Sequence, residues 1–200
     1  SVMVRTKLKT NGRFNMAKPK KSKIAVPLKL DLGCGDNKQE GHIGVDLYSK
    51  SADIKADLFH FPWQWKDNTV DEIFCSHFVE HVPQELRLQF FEECWRIMKL
   101  DAVMKIIVPS WKSERAYGDM THVWPPVTSF FFLYLNRPWR ELNKITYGPY
   151  ATMKGSFESQ SGPTGINPAF SDRTQEAQVH ACTHYLEAYP DLWVTIVKKA

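Results

Sequence analysis

Several groups of residues in this chain have types and spacings that can do chemistry. The first is Lys29-Leu30-Asp31-Leu32-Gly33-Cys34-Gly35-Asp36, an apolar run that ends in two closely spaced glycines with a carboxylate beside them. Glycine has no Cβ, so the backbone can turn sharply there and a ligand can sit directly on it. A negative charge at such a loop suits a ligand that carries positive charge and disfavours a phosphate. Shortly after comes Gly44-Val45-Asp46-Leu47, which reads as a second short strand ending in an acid. A carboxylate at that tip is placed to accept hydrogen bonds from ribose hydroxyls. Further on, Ser76-His77-Phe78-Val79-Glu80-His81 carries two imidazoles and an acid. Asp119 and His122, three apart, can bond to each other or to a substrate, and an imidazole whose unperturbed pKa is near 6.5 can serve as a base.

One more cluster is weaker. His180, Cys182 and His184 alternate, so a strand would place them on one face, where soft ligands could hold zinc. A strand supplies no fourth ligand and no Cys-x-x-Cys pair supports the idea, so no metal site is expected. Asn167-Pro168-Ala169-Phe170 is similar to the Asn-Pro-Pro-aromatic motif of amino-methylating DNA enzymes, but it does not follow the fourth strand, as that motif must, and a proline turn explains it better.

Leu-Asp-Leu-Gly-Cys-Gly followed by Gly-Val-Asp resembles the class I S-adenosylmethionine-dependent methyltransferases, in their short-loop, type 11-like branch. The resemblance continues through Ala56-Asp57-Leu58, Asn68 to Ile73 and Ser76 to His81, and fades after Trp111. It implies a Rossmann-like α/β sheet, mostly parallel with a C-terminal antiparallel hairpin, in three layers. It implies S-adenosylmethionine as cofactor and S-adenosylhomocysteine as product. The cofactor contacts it implies are Asp31, Leu32, Gly33, Cys34 and Gly35 on the loop, Asp46 and Leu47 at the ribose, Asp57 and Leu58 at the adenine, and Ser76 and His77 beside them. Two other readings stay open: a glycine turn with no ligand, and a nicotinamide or flavin dinucleotide site. The dinucleotide fingerprint wants a third glycine where this chain has Lys38, and its acid about 20 residues on, whereas Asp46 follows Gly33 by 13.

The elements that must position these groups follow from hydrophobic pattern. Strands are expected at 27–32, 43–46, 53–56, 70–76 and 102–109, and an amphipathic helix over 83–99 with Arg87, Glu92, Glu93 and Arg96 on its wet side. The link 33–42 is too short for the usual crossover helix, so part of one sheet face is left to an N-terminal arm, a partner subunit or substrate. Val127 to Leu135 suggests a short aromatic helix, 148–174 reads as loop, and 178–187 with 192–198 reads as the closing hairpin. The stretch 111–174 is expected to be a lid or substrate-facing insertion, with 117–122 as the outer wall of the acceptor site and His122, Asp119 and His77 as the acceptor-side catalytic residues.

The bulk composition agrees with a single folded domain. The chain has 200 residues, 43% hydrophobic and 13% aromatic. Four scattered cysteines suit reduced thiols in a cytoplasm-like compartment, and no apolar run approaches a membrane span. Of 26 Lys and Arg, nine fall in residues 1–30, which hold no acid; the rest of the chain carries 17 against 22 acidic residues. Residues 1–23 therefore read as a flexible basic arm ahead of a methyltransferase domain over 24–200. A small-molecule acceptor is expected; the alternatives are a nucleic acid held through the arm, or a protein that binds S-adenosylmethionine without catalysing transfer.

Overall fold

The computed structural model describes residues 26–200. The basic arm read at 1–23 lies outside them. Seven strands form one sheet: β1 (Lys29–Leu32), β2 (Ile43–Asp46), β3 (Ile54–Lys55), β4 (Val70–Ser76), β5 (Met98–Pro109), β6 (Ser156–Thr164) and β7 (Asp191–Lys199). Their spatial order is β3-β2-β1-β4-β5-β7-β6. The first five run parallel, and β7 is antiparallel to both β5 and β6.

The alternation of side chains puts the core on one face. Leu30, Ile73, Met104 and Ile196 lie in one cross-strand row. They share a single buried cluster with Leu32, Val45, Cys75, Ile106, Val194 and Phe157. Helix α1 (Arg87–Ile97) contributes Phe90, Phe91, Cys94 and Ile97 to that cluster, at helical spacing. The opposite face carries Lys29, Glu72, Lys105, Thr195 and Glu158, all at least partly exposed. Glu72 bridges Lys29 and Lys105 at 2.7 Å each, and these bonds hold its carboxyl down at about 2.

Connection handedness accounts for the asymmetry. The chain runs outward through β1, β2 and β3, then reverses through β4 and β5. Right-handed crossovers put the links before and after that reversal on opposite faces. The link from β4 to β5 contains α1, whereas the link from β1 to β2 contains turns only. The uncovered face is the one a β1–β2 helix would have occupied, as the shortness of 33–42 predicts.

Other expectations change. The closing pair is β6 with β7, not 178–187 with 192–198. Short helices α2 (Arg115–Gly118) and α3 (Arg137–Leu142) precede α4 (Gln175–His184), which is capped by the Thr174 hydroxyl accepting from Ala177 N–H. His180, Cys182 and His184 therefore do not share a strand face. Strand β6 lies within the stretch read as loop. Ser, Gly and Pro are tolerated there because it is an edge strand. The expected helix at 127–135 is a 3-10 turn over Ser129–Leu135. Helix α1 starts at Arg87, after a 3-10 turn over Gln84–Leu86. Arg87 and Glu93 are buried, not on its wet side. Glu93 accepts from Trp63 N–H at 2.6 Å and from Arg96.

Candidate functional site

At the carboxyl ends of β1 and β2, backbone donors and one acid set the geometry. Gly33 has φ +70° and donates its N–H to Val45 O at 2.8 Å. Asp46 Oδ1 accepts from Tyr48 N–H at 2.7 Å and Ser49 N–H at 2.8 Å, and Oδ2 accepts from Gly35 N–H at 3.1 Å. Burial pushes this carboxyl up, but the three donors and Lys55 outweigh it and hold it below the usual 3.8. A carboxylate offers about four lone-pair sites, so roughly one is left for an incoming hydroxyl.

Two cavities meet at Asp46 and Tyr48. One, about 580 Å³, is lined further by Gly35, Asp36, Ser49 and Lys50. The other, about 140 Å³, is lined by Leu47, Asp57, Leu58, Phe59 and Phe78. Asp57 is held at its mouth by Phe59 N–H at 2.9 Å and His60 Nδ1 at 2.7 Å. The Phe78 ring stacks on Phe59, with centroids 5.7 Å apart, and lies over Gly33: a Cβ built there would sit 2.2 Å from Phe78 Cδ2.

Some expected contacts are placed differently. Asp31 is 1% exposed and accepts Gln39 N–H at 2.7 Å, which fastens the returning loop. Burial pushes its carboxyl up. The Leu32 side chain is in the core and Cys34 is buried, its thiol pushed by burial to about 11. Ser76 lines neither cavity. His77 faces away from them, into a third.

That third cavity, about 740 Å³, is lined by His77, Glu80, His81, Arg115, Asp119 and His122 among others. It brings the loop after β4 against the segment after helix α2 (Arg115–Gly118). His77, at φ +52°, donates its backbone N–H to Ile107 O at 2.8 Å. Its Nδ1 lies 3.2 Å from Glu80 Oε1, and this bond is the main cause that raises its pKa. Glu80 is 4% exposed, and its Oε2 has no hydrogen-bond partner among the described residues. Val123 N–H donates to Glu80 O at 2.9 Å. Arg87 ties the two segments together from below, donating to the carbonyls of Val82, Val123 and Pro125 at 3.1, 2.7 and 2.6 Å.

His81 Nδ1 lies 3.3 Å from Thr121 O and 3.1 Å from Thr121 Oγ1. His122 Nδ1 is 3.3 Å from Ala116 O, and its ring meets that of His81 edge-on at 4.8 Å. Asp119 and His122 come within 3.9 Å, beyond a hydrogen bond; Asp119 Oδ1 instead accepts from Thr121. Glu80, buried and half unpartnered, and Tyr48, shared by two cavities, are the site residues that spacing alone does not single out. The Glu-His pair after β4 is the signal for the first.

No protein-family model matches the chain, and neither does any curated protein. Solved structures do. A S-adenosylmethionine-dependent methyltransferase from Archaeoglobus fulgidus aligns with a TM-score of 0.60 at 21% identity, over 86% of each chain. Another, from Mesorhizobium loti, aligns with a TM-score of 0.51 at 13% identity, over 86% of this chain and 92% of its own. The fold of this chain is the one these S-adenosylmethionine-dependent methyltransferases have.

Proposed function

We propose that the chain transfers a methyl group from S-adenosylmethionine to an acceptor seated in the cavity of His77, Glu80 and His122. The observation that carries this reading is the Gly35–Asp46 tip: an acid with one free acceptor site between two cavities, on a methyltransferase fold. Asp46 would hold a ribose hydroxyl, Gly35 and Tyr48 the surrounding cleft, and Asp57 and Leu58 the adenine. Phe78 must leave Gly33 for a ligand to rest on that glycine. The bound cofactor supplies a methyl group on a sulfonium that departs as a neutral thioether, so no acid need protonate it. The chain's task is alignment and exclusion of water, and alignment can be worth roughly 7–11 kcal/mol. On the acceptor side, His77, Asp119 and His122 orient the nucleophile, and a histidine takes its proton where it carries one.

The acceptor we propose is a small molecule, since a cavity of about 740 Å³ is of small-ligand size. A nucleic-acid acceptor is the second reading, favoured by the nine basic residues in 1–30. For the compartment we propose a reducing, cytoplasm-like one, supported by cysteines that are all unpaired. No helix among the described residues is long and apolar enough to cross a membrane.

Titration with S-adenosylhomocysteine and with NAD tests the reading. We expect saturable binding of the first and none of the second. Binding of NAD alone would replace the methyltransferase with an oxidoreductase.

A further inference from the structure

We propose that Glu80, His81 and His122 form a binding site for a divalent transition-metal ion on the acceptor side. A carboxylate oxygen of Glu80 and one ring nitrogen from each histidine lie within 4.8 Å of one another. Ligands of zinc sit about 2.0–2.2 Å from the ion, which separates tetrahedral neighbours by roughly 3.5 Å, so small side-chain adjustments close the site.

Two independent observations point to a ligand there. The first is Glu80 Oε2, which is buried and has no partner among the described residues. An ionised carboxylate oxygen taken from water without a partner is costly, and a cation removes that cost. The second is how the imidazoles are held. His81 Nδ1 faces the carbonyl of Thr121 and His122 Nδ1 faces the carbonyl of Ala116. A carbonyl only accepts, and the Thr121 hydroxyl beside His81 Nδ1 gives its own proton to Asp119, so these contacts suit neutral rings protonated on Nδ1, with Nε2 left to coordinate. A backbone carbonyl that fixes one ring nitrogen so that the other can coordinate is the usual support of metal-bound histidine.

Two imidazoles and one carboxylate favour zinc, manganese or cobalt over magnesium or calcium, which prefer all-oxygen sites. Three protein ligands leave positions open, and the cavity lies in front of them. An acceptor oxygen or nitrogen could occupy one, held by the ion against the methyl donor. His122 would then be a ligand and not a base. Other ligand sets are scarce. Residues 1–25 contain no His, Cys, Asp or Glu. Among the described residues the ring pair His180–His184, 4.4 Å apart on α4, is a competitor that the test must exclude.

The effect of the ion on turnover rests on the methyltransferase reading, but its binding does not. The test is titration of the full chain with Zn²⁺, Mn²⁺ and Co²⁺, with the visible spectrum of bound Co²⁺ as a second readout. One ion per chain is expected, with affinity reduced about tenfold or more in both His81→Ala and His122→Ala. Glu80→Gln should weaken it too; if that variant does not fold, the histidine variants decide alone. His180→Ala should bind as the wild type does, and all folded variants should keep their affinity for S-adenosylhomocysteine. Absence of stoichiometric binding, wild-type affinity in His122→Ala, or loss in His180→Ala alone overturns the proposal. Loss of S-adenosylhomocysteine binding by the wild type, with the metal still bound, would instead sink the methyltransferase reading and leave the metal site standing.

Discussion

The two ends of the site are built in different ways. The end around Asp46 is local: its carboxylate closes on the N–H groups of Gly35, Tyr48 and Ser49, none more than eleven residues away. The end around Glu80 is assembled from segments about forty residues apart: Thr121 meets His81, and Arg87 holds Val123 and Pro125. A local site forms wherever its short motif turns correctly. An assembled one forms only if the rest of the fold delivers the second segment. Perturbations of the first end should therefore act at the point of change, and perturbations of the second should spread.

The largest effect is expected at the local end. Gly33→Val forces a branched residue to φ +70° and drives its Cβ into Phe78. Strain and overpacking together should cost roughly 4 kcal/mol, read by thermal or denaturant unfolding. Adding Phe78→Ala should recover the packing part and leave the backbone part. Full stability in the single variant would show that Phe78 is not seated on Gly33.

Arg87→Ala comes next, at the assembled end. Three carbonyls lose a buried cationic donor, so a loss of about 3 kcal/mol is expected. Hydrogen exchange should rise across 121–126 while S-adenosylhomocysteine affinity in the folded protein stays constant. If that affinity falls as well, the two ends are not separable.

Asp46→Ala should weaken S-adenosylhomocysteine by about 2 kcal/mol, near thirtyfold, without disturbing the far cavity. Its stability effect depends on pH in a definite direction. The folded carboxyl lies below 3.8, so its contribution is full above that value and is lost as pH falls through the lower, folded one. Wild type and Asp46→Asn should therefore converge in stability only in that acid range. Convergence near neutral pH would rule out the three-donor arrangement. The smallest effect is expected from deleting residues 1–22, which should leave S-adenosylhomocysteine affinity within about twofold. A salt-sensitive loss of RNA or DNA binding in the same variant would move the acceptor towards nucleic acid.

The same division explains what could be read from the chain. The turn at Gly33 and Gly35 and the strand end at Asp46 were legible because turn chemistry and strand alternation are set within a dozen residues. The mostly parallel sheet with an antiparallel C-terminal pair followed from the resemblance. The error at the C-terminus had a physical source. Strand β6 is an edge strand rich in Ser with Gly162 and Pro163, and α4 buries only Ala181, so neither carries the periodicity that marks its type. Arg87 and Glu93 looked solvent-facing because their partners, Pro125 and Trp63, come from elsewhere in the chain. The role of Glu80 was hidden for the same reason: its burial depends on a segment forty residues on.

The five residues His77 to His81 leave the end of β4 as one short, tightly turned unit, with His81 N–H bonded to Phe78 O at 2.9 Å. Phe78 points to Gly33, while His77, Glu80 and His81 line the cavity they share with His122. A ligand that displaces the Phe78 ring therefore acts on the same backbone that carries Glu80. Free-energy linkage then works in both directions: whatever factor one occupant changes the affinity of the other by, the second returns to the first. Any coupling between the two cavities would then run through this single turn.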